Sequence, residues 1–257
     1  MKIYIAHYSK NEERRAQLLN RLYDQSINDM DDVEWVTKWD KEDLFVKWIK
    51  WHTKSEQFIA HISVILKHLW CMYDMIQNNL EECIILEDDV VFESDWLNKI
   101  KNFPKNNIKF LKLGSIFKNL EYIPNKVYQI GNPGGAEALW ISKDFAKVTL
   151  ENLDFQQTID IFYGGVLTMA NHPLLCVPIC SQTSVYEFSS TLSTNECKIN
   201  WIEYLNNFKN YKKYNFKGLL EDFKKFENDK KVFETKFENR FNYKLNLEDF
   251  NYMRDYY

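Results

Sequence analysis

The stretch CIILEDDVVFESDW (residues 83–96) carries Ile84, Ile85 and Leu86 straight into Glu87, Asp88 and Asp89, then resumes with Val90, Val91 and Phe92. A short run of branched residues like this reads as a strand buried on both faces. Three adjacent carboxylates repel one another, and burying them unpaired is unfavourable. The run therefore predicts a strand whose carboxyl end reaches the edge of a sheet, where the acids meet water or a cation. Their donors are all oxygen, which suits a hard divalent ion, Mn²⁺ or Mg²⁺. A solvated, inert acidic turn is the competing reading.

The flanking sequence supplies the rest of such a sheet. MKIYIAHY has the branched and aromatic character of a first strand, and the following SKNEERRAQLLNRLYDQ reads as a helix. Ser9 with Glu12 forms a capping box for it. Val33–Val36 is a second strand, ending near Asp40. Residues 56–77 place Phe58, Ile62, Ile65, Leu66, Leu69 and Met72 on one helical face. Further strands are predicted over residues 108–114, 138–142 and 173–179, and helices over 143–152 and 158–169. Alternation of strands and helices indicates an α/β fold, a mostly parallel sheet with helices on both faces. Ligands of such sheets collect outside the carboxyl ends of the strands.

Composition narrows the classes. With 257 residues, 45% of them hydrophobic, the chain can bury a sizeable core, and seven glycines and five prolines are too few for a disordered protein. A net charge of -4 gives no electrostatic case for nucleic acid. Residues 1–8 lack a signal-peptide core, and no apolar run is long enough to span a bilayer, so a cytoplasmic protein is expected. The five cysteines are an odd set without paired spacing, which suits reduced thiols; His172, Cys176 and Cys180 read as strand and core residues rather than zinc ligands. The expected division is a catalytic-type domain over 1–199 and an aromatic, Lys/Asn-rich helical extension over 200–257, with Phe223, Phe226, Phe233, Phe237 and Phe241 at roughly helical spacing. That extension is expected to pack on the domain, with peripheral membrane contact as the alternative.

The chain resembles glycosyltransferase family 25, the lipopolysaccharide-type and collagen galactosyltransferases. The likeness lies in IYIAHYSKNEERRAQLLNRL, AHISVILKHLW, IILEDDVVF, GGAEALWISKDFAKVTL, and TIDIFYGGV followed by HPLLCVPICSQ, in the family's order over residues 1–184. The interval from His68 to Glu87 also matches. Three residues depart from the family pattern: His61 stands for a Glu, Ser63 for a Gly and Lys67 for a Ser. The resemblance implies a GT-A-type, Rossmann-like fold, a UDP-sugar donor, a divalent cation and inversion at the anomeric carbon. The transferred group would be a hexose of galactose or glucose type, and the acceptor a hydroxyl of a glycan, lipopolysaccharide or protein.

On that resemblance the roles fall as follows. Asp89, with Glu87, is assigned to the metal; Glu87 binds it directly, through water, or holds the donor ribose, and Asp88 does the same or supports its neighbours. Asp160 matches the family's downstream acid and is assigned as the base, with a helix cap as the alternative. Ala6, His7 and Tyr8 at the end of the first strand are placed at the nucleotide, and Arg14 or Arg15 at its phosphates unless both lie on a solvated helix face. Asp40 is placed at the nucleoside or in a turn. Gly135, with Gly134, lets the backbone approach the sugar or the acceptor. His68 reads as a core histidine before a ligand, and His172 as a lesser candidate for the metal.

Two rival functions remain at this stage. A sugar nucleotidyltransferase would show a glycine-rich phosphate loop after the first strand, and IAHYSKNEER contains no glycine. A non-catalytic carbohydrate-binding scaffold would keep the fold, and His61 and Lys67 leave room for it. A retaining hydrolase needs two carboxylates flanking a glycosidic bond, which contiguous acids do not provide.

Overall fold

The computed structural model describes residues 1–27, 33–114, 120–131, 134–182 and 201–226. Eight strands and eight α-helices follow in chain order: β1 (Lys2–Ala6), α1 (Glu12–Asp24), β2 (Val33–Val36), α2 (Leu44–Thr53), α3 (Ile59–Gln77), β3 (Glu82–Glu87), β4 (Val90–Phe92), α4 (Trp96–Lys101), β5 (Phe110–Gly114), β6 (Tyr128–Gln129), β7 (Ala138–Ser142), α5 (Lys143–Glu151), α6 (Ile159–Met169), β8 (Leu175–Gln182), α7 (Trp201–Asn207) and α8 (Phe216–Phe226).

All eight strands share one sheet, in the order β2-β1-β3-β7-β5-β8-β4, with β6 also on β8. β1 pairs in parallel with β2 and β3, and β5 with β8; the remaining ladders are antiparallel. In direction, β1, β2, β3, β5 and β8 run one way and β4, β6 and β7 the other, so the parallel strands predominate as expected. β7 is inserted antiparallel between β3 and β5.

Side chains alternate across this sheet with a period of two, and both faces are covered. Tyr4, Cys83 and Ile85 enter the core beneath α2, α3, α5 and α6, while Ile3, Ile5, Ile84 and Leu86 enter the second core with Leu18 and Leu22 of α1 and Trp96 of α4. That double burial is why ECIILE reads as an uninterrupted apolar run.

Local chemistry sets the helix ends. α1 is capped by Asn11, whose Oδ1 accepts the Arg14 N–H at 3.1 Å, and Glu12 and Glu13 sit in its first turn. The Ser9 capping box is thus corrected: the Ser9 hydroxyl donates to Asp40 instead. α3 begins three residues later than expected. Ser55 and Gln57 are drawn off the helix by bonds to the carbonyls of Phe155 and Gln156. α2 was not anticipated, although Phe45, Val46, Trp48 and Ile49 line its buried face.

The segment after residue 200 is part of the core over its described length. Tyr204, Phe208, Phe216 and Leu219 are buried in the same cluster as Phe162 and Tyr163. Leu153 and Tyr214 exchange two main-chain bonds, at 2.9 and 3.0 Å. The Tyr204 hydroxyl donates to Asp154 at 3.0 Å. Phe223 of α8 lies against Phe45 and Trp48, with ring centroids 4.7 and 5.5 Å apart. Phe233, Phe237 and Phe241 lie outside the described residues, among which no helix is long and apolar enough to cross a membrane.

Gly165 of α6 lets this segment close, because a Cβ there would run into the Phe208 ring. Gly165→Ala is therefore expected to destabilise the protein by about 1–3 kcal/mol through overpacking. Urea unfolding measures it, and an unchanged midpoint would show that Phe208 is not tightly seated.

Candidate active site

The carboxyl ends of β1 and β3 lie side by side, Ala6 opposite Glu87, and they deliver the acidic run and the residues after β1 to one edge of the sheet. His7 is buried, and its Nδ1–H donates to Asp88 Oδ2 at 2.8 Å. Arg14, on α1, donates to Asp88 Oδ1 at 2.9 Å and lies 3.8 Å from Asp89. Burial works to raise the Asp88 carboxyl, but the bond from His7 and the charge of Arg14 prevail and hold it below its ordinary value. Asp88 is thus the anionic centre of a His7–Asp88–Arg14 bridge between β1, β3 and α1.

Its neighbours are in the opposite condition. Burial, then the charges of Glu137, Asp88 and Asp160, pushes Glu87 up to about 8. Burial, then Glu87, pushes Asp89 up to about 7, with Arg14 opposing. Glu137 immediately precedes β7, and its carbonyl accepts the Glu87 N–H at 2.9 Å. It is fully buried and also raised by burial, with Lys112 opposing. Behind Glu87 stands His68, fully buried and pushed down to about 3 by burial, so its ring is neutral. The Tyr163 hydroxyl lies 3.1 Å from its Nδ1, and its Nε2 is 3.7 Å from Glu87 Oε1. The expected core histidine is therefore also a wall of the acidic pocket.

Asp160 lies in the first turn of α6, and it is not the cap; Thr158 holds that position. Asp160 Oδ2 accepts the Gly135 N–H at 3.0 Å, and Oδ1 accepts the Thr158 hydroxyl. Gly135 has φ 80, a left-handed conformation that glycine adopts without strain. The preceding Gly134 carbonyl accepts from the Lys112 ammonium. This turn is held between β5 and α6, beside the acids.

Asp40 lies behind the end of β1, bound to Lys67 and Ser9. Its Oδ1 accepts from Lys67 at 2.6 Å, and its Oδ2 accepts from the backbone N–H and hydroxyl of Ser9. Lys67 also donates to the carbonyls of His7 (2.8 Å) and Lys38 (3.1 Å), so this buried ammonium ties the ends of β1 and β2 to α3. Tyr8 donates to Glu42 at 2.7 Å. Arg15 lies over the Trp35 ring, 4.8 Å from its centroid, and Trp35 in turn packs edge-on against His7 at 5.3 Å. His172 is corrected: its Nε2 accepts from the Lys109 N–H ahead of β5, and its Nδ1 faces the Pro173 carbonyl, at the amino-terminal edge of β5 and β8. It cannot complete a site at the opposite edge. Cys71, Cys83, Cys176 and Cys180 are buried free thiols, as expected of core residues.

The family described as "Glycosyltransferase family 25 (LPS biosynthesis protein)" matches residues 1–131, just over half of the 257-residue chain. The chain belongs to glycosyltransferase family 25. The matched span contains β1, Arg14, Lys67, His68 and the whole acidic run. No curated protein matches the sequence. Among solved structures, a "crystal structure of a glycosyltransferase involved in the glycosylation of the major capsid of PBCV-1" is similar at 12% identity and a TM-score of 0.31, covering 57% of this chain and 62% of that one. The chain therefore spans less than two thirds of that structure's length.

The residues of this family 25 chain fit the divalent cation that the resemblance implies in charge and in donor chemistry. Asp89 Oδ1 and both Glu137 carboxylate oxygens are buried without a hydrogen-bond partner among the described residues. Crowded acids with orphaned oxygens are what a hard cation relieves. Among the described residues, no group of three or more His, Cys, Asp or Glu side chains is drawn together as a metal-holding cluster.

Sequence reasoning missed Glu137 and Lys112. The signal for Glu137 was present: an acid immediately ahead of the apolar run ALWIS, the mirror of Glu87 at the end of CIIL.

The raised carboxyls predict a pH effect. From about pH 6.5 upward an unfolded His68 imidazole is at most half protonated while its buried ring in the folded chain is neutral, a smaller contribution of opposite sign. Glu87 near 8 and Asp89 near 7 then still hold protons that the unfolded chain has released. Stability should therefore fall as pH rises from about 6.5 to about 8. Thermal unfolding in EDTA measures the decline, and Glu87→Gln should flatten it.

Proposed function

We propose that this protein is a metal-dependent, inverting glycosyltransferase that moves a hexose from a UDP-sugar to a hydroxyl of a glycan, lipopolysaccharide or protein. The observation that most supports this reading is the family match across the ends of β1 and β3, where the acidic run and the His7–Asp88–Arg14 bridge lie. Inversion is a single displacement: the acceptor oxygen bonds to the anomeric carbon as the bond from that carbon to the diphosphate oxygen breaks. The acceptor proton passes to a base, and the electron pair of the broken bond leaves with the nucleoside diphosphate.

In this reading Asp160 is the base. Its two oxygens accept bonds from Gly135 and Thr158, which aim the carboxylate while leaving further lone pairs open. Asp89 and Glu87 would hold Mn²⁺ or Mg²⁺, with Asp88 fixed behind them by His7 and Arg14. When bound, the cation supplies neutralisation of the charge on the departing diphosphate. Ala6 at the end of β1, with His7 and Tyr8 after it, would face the nucleotide, and the partly exposed Arg14 guanidinium would meet its phosphates. Asp40 acts through Lys67 by holding the His7 carbonyl and Ser9 in place. The Gly134–Gly135 turn lets sugar or acceptor approach the backbone.

Two variants test the roles. Asp89→Asn is expected to weaken Mn²⁺ affinity about tenfold to a hundredfold and to remove cation-dependent release of UDP. Normal turnover in that variant would end the metal assignment. Asp160→Asn is expected to lower transfer to acceptor by about 10²- to 10⁴-fold, while slow hydrolysis of the donor continues. Unchanged transfer there would remove Asp160 from catalysis. A folded wild-type chain that binds UDP-sugars but releases no UDP with Mn²⁺ would point to a binding scaffold instead.

A further inference from the structure

Glu137 is the acid that the proposed function does not use, and its surroundings are unusual. The β3–β7 ladder ends at Leu86 opposite Ala138, and the bond from the Glu87 N–H to the Glu137 carbonyl carries it one residue further. Directly opposed residues of an antiparallel pair project to the same face, so Glu87 and Glu137 stand together on the side of α3 and α6. On the other flank, β5 pairs Lys112 with Leu139, which sets Gly114 opposite Glu137. A Cβ on Gly114 would collide with the Glu137 carboxylate. The glycine thus leaves the space that this side chain fills.

Glu137 is 0% exposed, and among the described residues neither carboxylate oxygen has a hydrogen-bond partner. Lys112 is close enough to offset its charge but donates to the Gly134 carbonyl. A wholly internal carboxylate with two unmet acceptors is strongly unfavourable unless it takes up a proton or a cation completes it. Asp89, across the same cluster, also presents a buried oxygen without a partner. The two orphaned groups come from separate parts of the chain, Asp89 from the turn between β3 and β4 and Glu137 from the residue ahead of β7.

We propose that Glu137 is a further carboxylate of the divalent-cation site, contributed by the start of β7 to the acids that β3 supplies. The inference rests on the reading of that edge as a cation site, and it adds a residue from a separate part of the chain. An added carboxylate raises the charge count of an all-oxygen site, which is a main determinant of its affinity for a hard cation.

The test is a titration of the full chain with MnCl₂, following free Mn²⁺ by electron paramagnetic resonance, for wild type, Glu137→Gln and Asp89→Asn. Glu137→Gln is expected to weaken Mn²⁺ binding by about tenfold or more. Its unfolding midpoint in EDTA should hold or rise, since a buried charge is removed. Wild-type affinity in Glu137→Gln, with or without a lower midpoint, would overturn the inference and leave Glu137 as a partner of Lys112 only. If Asp89→Asn loses Mn²⁺ while Glu137→Gln keeps it, this inference alone fails. If the wild-type chain binds no Mn²⁺, the cation-site reading fails with it. Should Glu137→Gln not fold, Gly114→Ala takes its place, because the added methyl displaces the carboxylate, and unchanged affinity there overturns the proposal.

Discussion

One main-chain hydrogen bond, from the Glu87 amide to the Glu137 carbonyl, holds two carboxylates side by side where water is largely excluded. Nothing in the chemistry of the acids favours that arrangement. It persists because the antiparallel insertion of β7 between β3 and β5 is enforced along its length by Cys83 against Ile141, Ile84 against Trp140 and Ile85 against Leu139. Apolar pairs buried on both faces therefore supply the stability that the polar edge draws down. Strain concentrated at a functional edge and supported by the core is a common division of labour in folded proteins.

Around that edge the donor groups orient the acids and the backbone as well as offset charge. Arg14 and His7 hold Asp88, Lys112 holds the Gly134 turn, and Lys67 holds the ends of β1 and β2. Lys67 stands where the family pattern has a serine, and its three bonds show what the longer side chain does: it reaches across from α3 to main-chain carbonyls on two strands and to Asp40. A buried ammonium with three acceptors is a satisfied group, and it fixes the geometry of the residues that follow β1.

Much of the frame was legible because it is written locally. VEWV and ALWIS are strands at the expected bounds, and the acidic run does end a central strand. What escaped depends on partners far along the chain. Ser9 and Asn11 are both good caps by composition, and Asp40, thirty-one residues on, decided between them by taking the serine. LFVKWIKWHT carries a buried helical face, but Lys47 and Lys50 interrupt it to the eye. Glu137 is an isolated acid in sequence, and only the register of β7 on β3 brings it against Glu87. His172 failed for the same reason in reverse: a metal-ligand residue type, but on the wrong end of β8. At residue 200 the change in residue usage marks the start of a segment whose apolar residues, over its described length, join the core.

That last feature bears on how the chain is made. Tyr204, Phe208, Phe216 and Leu219 cover α6 and the neighbouring helices, yet they are synthesised after every strand of the sheet. A nascent chain that has emerged only through β8 carries the described sheet and the helices on both its faces, with the apolar surface of α6 and its neighbours uncovered. Folding on the ribosome thus cannot reach its final state until α8 has cleared the exit tunnel, and during that interval the exposed aromatic surface is the place where a chaperone would have most to hold.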